Sequence, residues 1–548
     1  MYGGVSLAIY INGVTQELLH MVRATARKAR EKENEMLFDQ SALSPTEKVY
    51  RDLARRLDQK TGFGSQTADG RVAELTRTRF IVDIISGTSA GGINGVFLAK
   101  ALARNQTMDG LKSLWLREGD LGKLLNDTKA EDYAPELGFG VQKPEKSLLN
   151  SQRMYRKLLQ ALAEMNQKPT GEEVSAEQEP SPLVKELDLF VTTTDIEGIP
   201  LPMQLADGVA YERRYRNVFH FRYADQAATQ HKRDDFLRKN DPFLAFAARC
   251  TSSFPFAFDA MQLADIQTVL SRYQRYESDD PHGGKQWDGF IKDYLRLGLI
   301  DIDRKARGSD ASGIDGSTDD ATDELREAFR TRSFGDGGYL DNKPFSYATS
   351  MLMRRSSDCL VDRKLLYVEP TPEHPELAPK KPGPRPDFAQ NVRAAVLDLP
   401  REETIREDIE RIYERNAIVK RVGSFAKYVD EDAMAIDLPK PMSHGVFAKK
   451  DLRQMMRHGY GACYGAYHRL KVHEITELLS CLVTRALGHD PASNVGDAIR
   501  ELVAMWRNDQ LQIVQATWEK TKRKKASHRK PIPAQLRHAL SFTPPFLS

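Results

Sequence analysis

The stretch FIVDIISGTSAGGINGVFLAKALA, Phe80–Ala103, decides how this chain is read. An apolar run, Ile81–Ile85, leads into Gly87-Thr88-Ser89-Ala90-Gly91 and then into a periodic helical pattern. Strand, glycine-flanked serine, helix is the context in which G-x-S-x-G marks a nucleophile elbow. Gly87 and Gly91 let neighbouring backbone approach, which leaves the Ser89 hydroxyl at the strand's C-terminal end. Free N–H groups at the start of the following helix point at the same spot, where an oxyanion would form. Ser89 is the candidate nucleophile. The same residues also suit a helix N-cap in an ordinary α/β crossover, so other segments must decide.

Two more segments bear on the choice. One is Ser333-Phe334-Gly335-Asp336-Gly337-Gly338-Tyr339, an aspartate framed by glycines, followed by Leu340-Asp341-Asn342-Lys343-Pro344. The other is the N-terminus, Tyr2-Gly3-Gly4-Val5-Ser6-Leu7, a glycine pair opening an apolar, helix-like run. At these points the chain resembles the patatin-like phospholipases, which combine a glycine-rich oxyanion loop, a G-x-S-x-G serine and a D-G-G aspartate in this order. Ala247–Phe258, with Ser253-Phe254-Pro255-Phe256, and the strand end Val191-Thr192-Thr193-Thr194-Asp195 resemble family segments too. The resemblance spans roughly residues 1–370 and is closest to a larger bacterial patatin-related subgroup with a C-terminal extension. It implies an α/β fold: a three-layer sandwich around a mainly parallel central sheet, with a mostly α-helical C-terminal region.

A serine hydroxyl is a poor nucleophile until a neighbouring base takes its proton. Histidine is the common partner, but none of the twelve histidines sits in a glycine-framed turn. Asp336 does, although Gly-Asp-Gly-Gly is also ordinary turn chemistry. The resemblance implies a Ser89–Asp336 dyad without histidine, with Asp336 as general base, motif glycines Gly337 and Gly338, and no metal or other cofactor. That role asks for a carboxylate whose pKa is raised by desolvation. Two rivals stay open: an α/β-hydrolase using a histidine such as His374, and a catalytically silent fold that binds lipid or a partner.

The oxyanion loop departs from the family pattern. Ser6 stands where the family has a basic residue, Leu7 where it has a last glycine, and Tyr2 where it has the first. Gly3 and Gly4 still offer backbone N–H groups, with Ala90 N–H as a third donor. Met1 lies immediately before this loop, where the family has its first strand. An upstream strand of about five to eight apolar residues is therefore expected in the full protein.

Composition is ordinary for a cytoplasmic enzyme, possible peripheral contact with the inner membrane surface aside. The 548 residues carry a net charge of +3, with 40% hydrophobic and 29% charged residues, which singles out no partner class. No apolar run is long enough to span a bilayer, and no signal peptide is apparent. Cys250, Cys359, Cys463 and Cys481 show no C-x-x-C spacing, which argues against a disulfide scaffold or zinc site.

Along the chain, Ser147–Met165 reads as an amphipathic helix and Asn166–Pro182 as a polar loop. Leu187–Thr194, Val218–Tyr223 and Lys364–Glu369 read as strands, and Phe345–Arg355 as a helix. Residues 308–323, rich in Ser, Asp and Gly, are expected to be a disordered insertion. Glu369–Pro386 holds seven prolines and reads as a linker, placing a boundary near residue 375. The expected domains are thus 1–375, catalytic, and 376–548, a helical accessory region. His458, His468 and His473 lack metal-ligand spacing.

The tail gathers Lys520, Lys522, Arg523, Lys524, Lys525, Arg529 and Lys530 into a basic cluster, 520–530. Such a cluster attracts an anionic membrane at roughly 1 kcal/mol per residue near the surface; nucleic acid would attract it too, but nothing else in the chain suggests a nucleic-acid partner. The resemblance implies a phospholipid or other lipid ester as substrate. Phe254, Phe256 and Phe258, alternating around Pro255, are candidates for an acyl groove or for core.

Overall fold

The computed structural model describes residues 8–28, 35–60, 77–118, 125–126, 147–166, 180–205, 208–225, 233–255, 257–270, 287, 289–291, 294, 326–355, 357, 361–369, 387–393, 405–434, 470–489, 491 and 493–525. Gly3, Gly4, Phe256, residues 308–323, His374, most of the proline-rich stretch, Arg529 and Lys530 lie outside them. The chain divides into two compact units, Met1–Ile409 and Glu410–Ser548.

The first unit is an α/β structure whose described strands form one sheet. Strand β1 (Ile84–Gly87) pairs in parallel with β2 (Glu186–Gln204), Ile84 facing Asp188 and Gly87 facing Val191. On its other side β2 pairs antiparallel with β3 (Val209–Ala224), which in turn meets the short β4 (Arg233–Asp234). Strand β5 (Phe334–Asp336) pairs antiparallel with β2, beyond the end of β1. The sheet is mixed: among the described residues one pairing is parallel and three are antiparallel. The cause is local: β2 and β3 are one long hairpin, and a two-residue-period strand that turns straight back on itself pairs antiparallel.

Helices cover both faces. Leu187, Leu189 and Val191 of β2, with Phe219, Phe221 and Tyr223 of β3, join the main apolar core. Alternate residues point the other way. There Phe190 and His220 stack at 4.3 Å, and Tyr347 lies over Phe190 at 5.6 Å. The core side receives α1 (Ala8–Ala24), α3 (Ala90–Arg104), α5 (Ser151–Met165) and α6 (Asp241–Cys250); α2 (Pro45–Lys60) packs on α1, and α4 (Asp109–Glu118) on α5. Helix α7 (Ile266–Leu270) follows, and α8 (Phe345–Arg354), which carries Tyr347, covers the opposite face. Three layers result.

Composition explains the depth of two helices. Helix α3, AGGINGVFLAKALAR, is buried from Ala90 to Ala103; a helix apolar all round can sit only in a core. Its one interior charge, Lys100, is wholly buried and bonded to Asp241 of α6, whose second oxygen accepts from Asn166. Helix α6 is buried throughout and sends Phe243 and Phe246 against Phe219, with ring centroids at 5.7 and 5.9 Å. Each such ring stabilises by roughly 2–3 kcal/mol on burial.

Some sequence expectations change in detail. The helix expected from Ser147 begins at Ser151, because Asn150 caps it by accepting from Arg153 N–H at 2.9 Å. Lys364–Glu369 forms no strand. Residues 364–368 instead line a cleft of about 150 Å³ with Ile81–Ser86 and the first turns of α8. Phe258 belongs to the core, with the Arg249 guanidinium 4.1 Å above its ring.

In the second unit the described elements are helices: Arg406–Met434 from residue 410 onward, residues 470–486 and Asn494–Lys525, the last including the first part of the basic cluster. Among the described residues no helix is long and apolar enough to cross a membrane.

Candidate active site

Ser89 sits between β1 and α3 with φ 53° and ψ −125°, a conformation non-glycine residues rarely hold. It occupies the N-cap position of α3, but its side chain makes no capping hydrogen bond. Tight packing enforces the turn. A Cβ on Gly87 would collide with the Gly91 carbonyl, and Gly91 N–H donates to Thr88 O at 2.8 Å. Thr251, just beyond α6, accepts the Ser89 backbone N–H on its hydroxyl at 2.8 Å. Ala90 heads α3, and no acceptor among the described residues faces its N–H, as expected for a helix's first turn.

Asp336 ends β5 opposite Thr193 of β2. Its backbone N–H donates to Ser253 O at 3.1 Å, and its C=O accepts from Thr194 Oγ1 at 2.9 Å. One carboxylate oxygen, Oδ1, accepts from Gly338 N–H at 2.7 Å. Gly337 is required where it stands, since a Cβ there would lie 2.5 Å from Thr192 O.

Register brings the two segments together. Both β1 and β5 lie along the edge of β2 that β3 does not occupy, pointing at each other. Gly87 is opposite Val191 and Asp336 opposite Thr193, two residues apart, or about 7 Å along the strand. Thr192 fills the gap. Its hydroxyl meets that of Thr88 at 2.5 Å, and Thr88 Oγ1 also donates to Asp341 O at 2.9 Å. The elbow and the aspartate turn are thereby bolted to one residue.

Arg249, fully buried, donates to Ser253 Oγ at 3.0 Å and Ser151 Oγ at 2.8 Å. Burial pushes its guanidinium down to about 10. Burial and then the Asp336 charge push the Tyr339 hydroxyl up; that hydroxyl donates to Ser253 O at 3.0 Å. Access is narrow: Ser89 keeps 8% of its surface exposed and Asp336 2%. The cleft at Ile81–Ser86 does not include either among its lining residues.

Thr192, Thr251, Ser253 and Arg249 escaped the sequence reading as individual site residues, although their segments were noticed. Nothing in spacing reveals that a hydroxyl 162 positions away accepts the Ser89 amide. His220, which does face a carboxylate, pairs with Asp188 at 2.7 Å near the N-terminal end of β2 and belongs to a structural ion cluster. Among the described residues no group of His, Cys, Asp or Glu is arranged to hold a metal.

The glycine-framed serine lies within a stretch that fits one family model. Residues 69–295 match the patatin-like phospholipase family. The patatin-like match covers the elbow, β2, β3 and α6, and stops short of Asp336. An uncharacterized membrane protein of Mycobacterium tuberculosis is 27% identical over 391 residues, 71% of this chain and 27% of that protein. The chain thus spans about a quarter of that relative's length. No solved structure matches this chain.

Proposed function

We propose that this protein is a lipid acyl hydrolase that cleaves carboxylic ester bonds of phospholipids or related lipids through a Ser89–Asp336 dyad. The observation that carries this reading is the abutment of β1 and β5 on β2, whose ends, next to the strained Ser89 turn and at the buried Asp336, lie two residues apart along one edge of that strand. The patatin-like match over 69–295 supports the substrate class.

In the proposed reaction Ser89 Oγ attacks the ester carbonyl carbon while its proton passes to an Asp336 carboxylate oxygen. The oxyanion is received by Ala90 N–H together with Gly3 and Gly4 N–H. Ala8, the first residue of α1, packs against Ala90. Collapse of the tetrahedral intermediate breaks the ester C–O bond, and the departing alcohol takes the proton from Asp336. Water then attacks acyl-Ser89, losing a proton to Asp336; collapse breaks the bond between Ser89 Oγ and the acyl carbon, Oγ takes that proton back, and the fatty acid leaves. Preorganised N–H donors in a water-poor pocket are the main contribution to such a barrier reduction, typically about 3–4 kcal/mol per donor removed. We place this activity in residues 1–375 and assign 376–548, with its basic segment, to an accessory role.

Labelling with a fluorophosphonate probe, with phospholipid hydrolysis measured alongside, tests the reading. Ser89→Ala and Asp336→Asn should each abolish both signals, and His374→Ala should leave them intact. Loss in the histidine variant would favour a histidine-based hydrolase. Absence of labelling and hydrolysis in the wild type would favour a silent binding protein.

A further inference from the structure

The β2–β3 hairpin continues well past the sheet. Beyond the irregularity between Thr194 and Ile199, among the described residues only these two strands pair, from Ile199–Arg214 to Gln204–Val209. Six residues per strand at about 3.3 Å make an arm roughly 20 Å long. Leu205 N–H donates to Gly208 O at 2.8 Å at its tip. Because β2 runs parallel to β1 and Gly87 faces Val191, the arm projects from the end of the sheet that carries Ser89 and Asp336.

Its side chains have an unusual distribution for solvent. Leu205 is 52% exposed, Val209 53% and Tyr211 69%, with Met203 and Tyr215 also exposed. Set back from this apolar end are Arg213, Arg214 and Arg216. Arg213 donates to Glu197 O at 2.9 Å at the arm's base. Glu212 is the one carboxylate among the described residues of the arm; Asp207 lies outside them.

We infer that this arm is an interfacial anchor whose tip enters an anionic lipid surface. Apolar side chains at the tip enter the acyl boundary, tyrosines sit at the polar interface, and arginines behind them meet phosphate oxygens. The layout matches a membrane in depth order. Pairing with a second copy fits less well: a handful of half-exposed side chains offers on the order of 400 Å², against about 800 Å² per partner in a stable interface. A surface held by the arm would lie across the end of the sheet at which an ester must enter. Only that last consequence rests on the hydrolase reading; the anchor itself stands on exposure, charge and geometry.

The test is sedimentation of the full chain with vesicles of phosphatidylcholine containing about a third phosphatidylglycerol. Wild type should bind, less so in high salt. The double variant Leu205→Ser, Val209→Ser should bind at least tenfold more weakly, with unchanged circular dichroism and unchanged fluorophosphonate labelling. Val209→Trp should shift its emission to the blue when these vesicles are added. Equal binding by wild type and the double variant, absence of binding by wild type, or a concentration-dependent dimer lost in the double variant would overturn the anchor. Vesicle binding without serine labelling would instead count against the hydrolase reading and leave the anchor standing.

Discussion

Thr251 Oγ1 accepts the backbone N–H of Ser89 at 2.8 Å, and two residues later Ser253 O accepts the backbone N–H of Asp336 at 3.1 Å. One short segment after α6 therefore positions both members of the proposed dyad. Thr251→Val keeps the shape and removes the acceptor, leaving a buried N–H unpaired at a cost of about 1–3 kcal/mol. The strained φ of Ser89 then has less to hold it. Fluorophosphonate labelling should slow at least tenfold, while Thr251→Ser, which keeps the oxygen, should retain most of the rate.

Gly337 and Gly13 make a matched pair of glycine tests. A methyl at Gly337 would lie 2.5 Å from Thr192 O, so Gly337→Ala must move backbone beside Asp336. Overpacking of this kind costs about 1–3 kcal/mol, and labelling should fall with it. Gly13, inside α1, has nothing within 4 Å of a new methyl. Gly13→Ala should stabilise by about 0.5–1 kcal/mol without changing the labelling rate. Thermal unfolding of both variants checks the contrast.

Acid sensitivity should trace in part to Asp188. Burial alone would raise its carboxyl, but the His220 hydrogen bond and the Arg355 and Arg222 charges outweigh burial and hold it below its ordinary value. Arg355 reaches Asp188 at 2.5 Å and also bonds Glu186. With the folded value depressed, the stabilisation is fully present above the unfolded pKa of about 3.9 and is lost as pH falls through the folded value. Asp188→Asn should destabilise at pH 7 by about 3 kcal/mol, as breaking a buried pair does. The gap to wild type should close below about pH 4 in urea titrations run at stepped pH.

Lys100 and Asp241 are both wholly buried and bonded to each other. Burial pushes the Lys100 ammonium below its ordinary value. Asp241→Asn strands a cation between α3 and α6 and should cost about 3–5 kcal/mol. Adding Lys100→Met should recover most of that loss, because a buried pair is often replaceable by apolar side chains. A double-mutant cycle in urea measures the coupling directly.

The elbow was legible because it is local: an apolar strand, two glycines and a helix fall within one stretch, Phe80–Ala103. The aspartate turn was legible as glycine chemistry, and its proposed partnership with Ser89 came from family resemblance. The two strands of the hairpin were read only as the separate segments Leu187–Thr194 and Val218–Tyr223, and the Asp207-Gly208 turn signal between them went unread. Lys364–Glu369 has strand composition, yet its place is beside the Ile81–Ser86 edge without ladder pairing. Pattern records which residues suit an extended chain, whereas pairing depends on what lies alongside.

By itself the sequence determined the conformations that a few residues can adopt: the turn around Ser89, the glycine frame of Asp336, the all-apolar helix that must be buried. Steric and solvation limits act on neighbours in the chain, so those features are written locally. Only the tertiary structure decided that β1 and β5 meet end to end at Thr192, that Thr251 and Ser253 hold the two partners, and that an apolar arm rises beside them. These are contacts between segments up to some 250 positions apart, such as Thr88 with Asp341, set by strand register and shared packing. No local pattern encodes a register, because it emerges from the whole core closing at once.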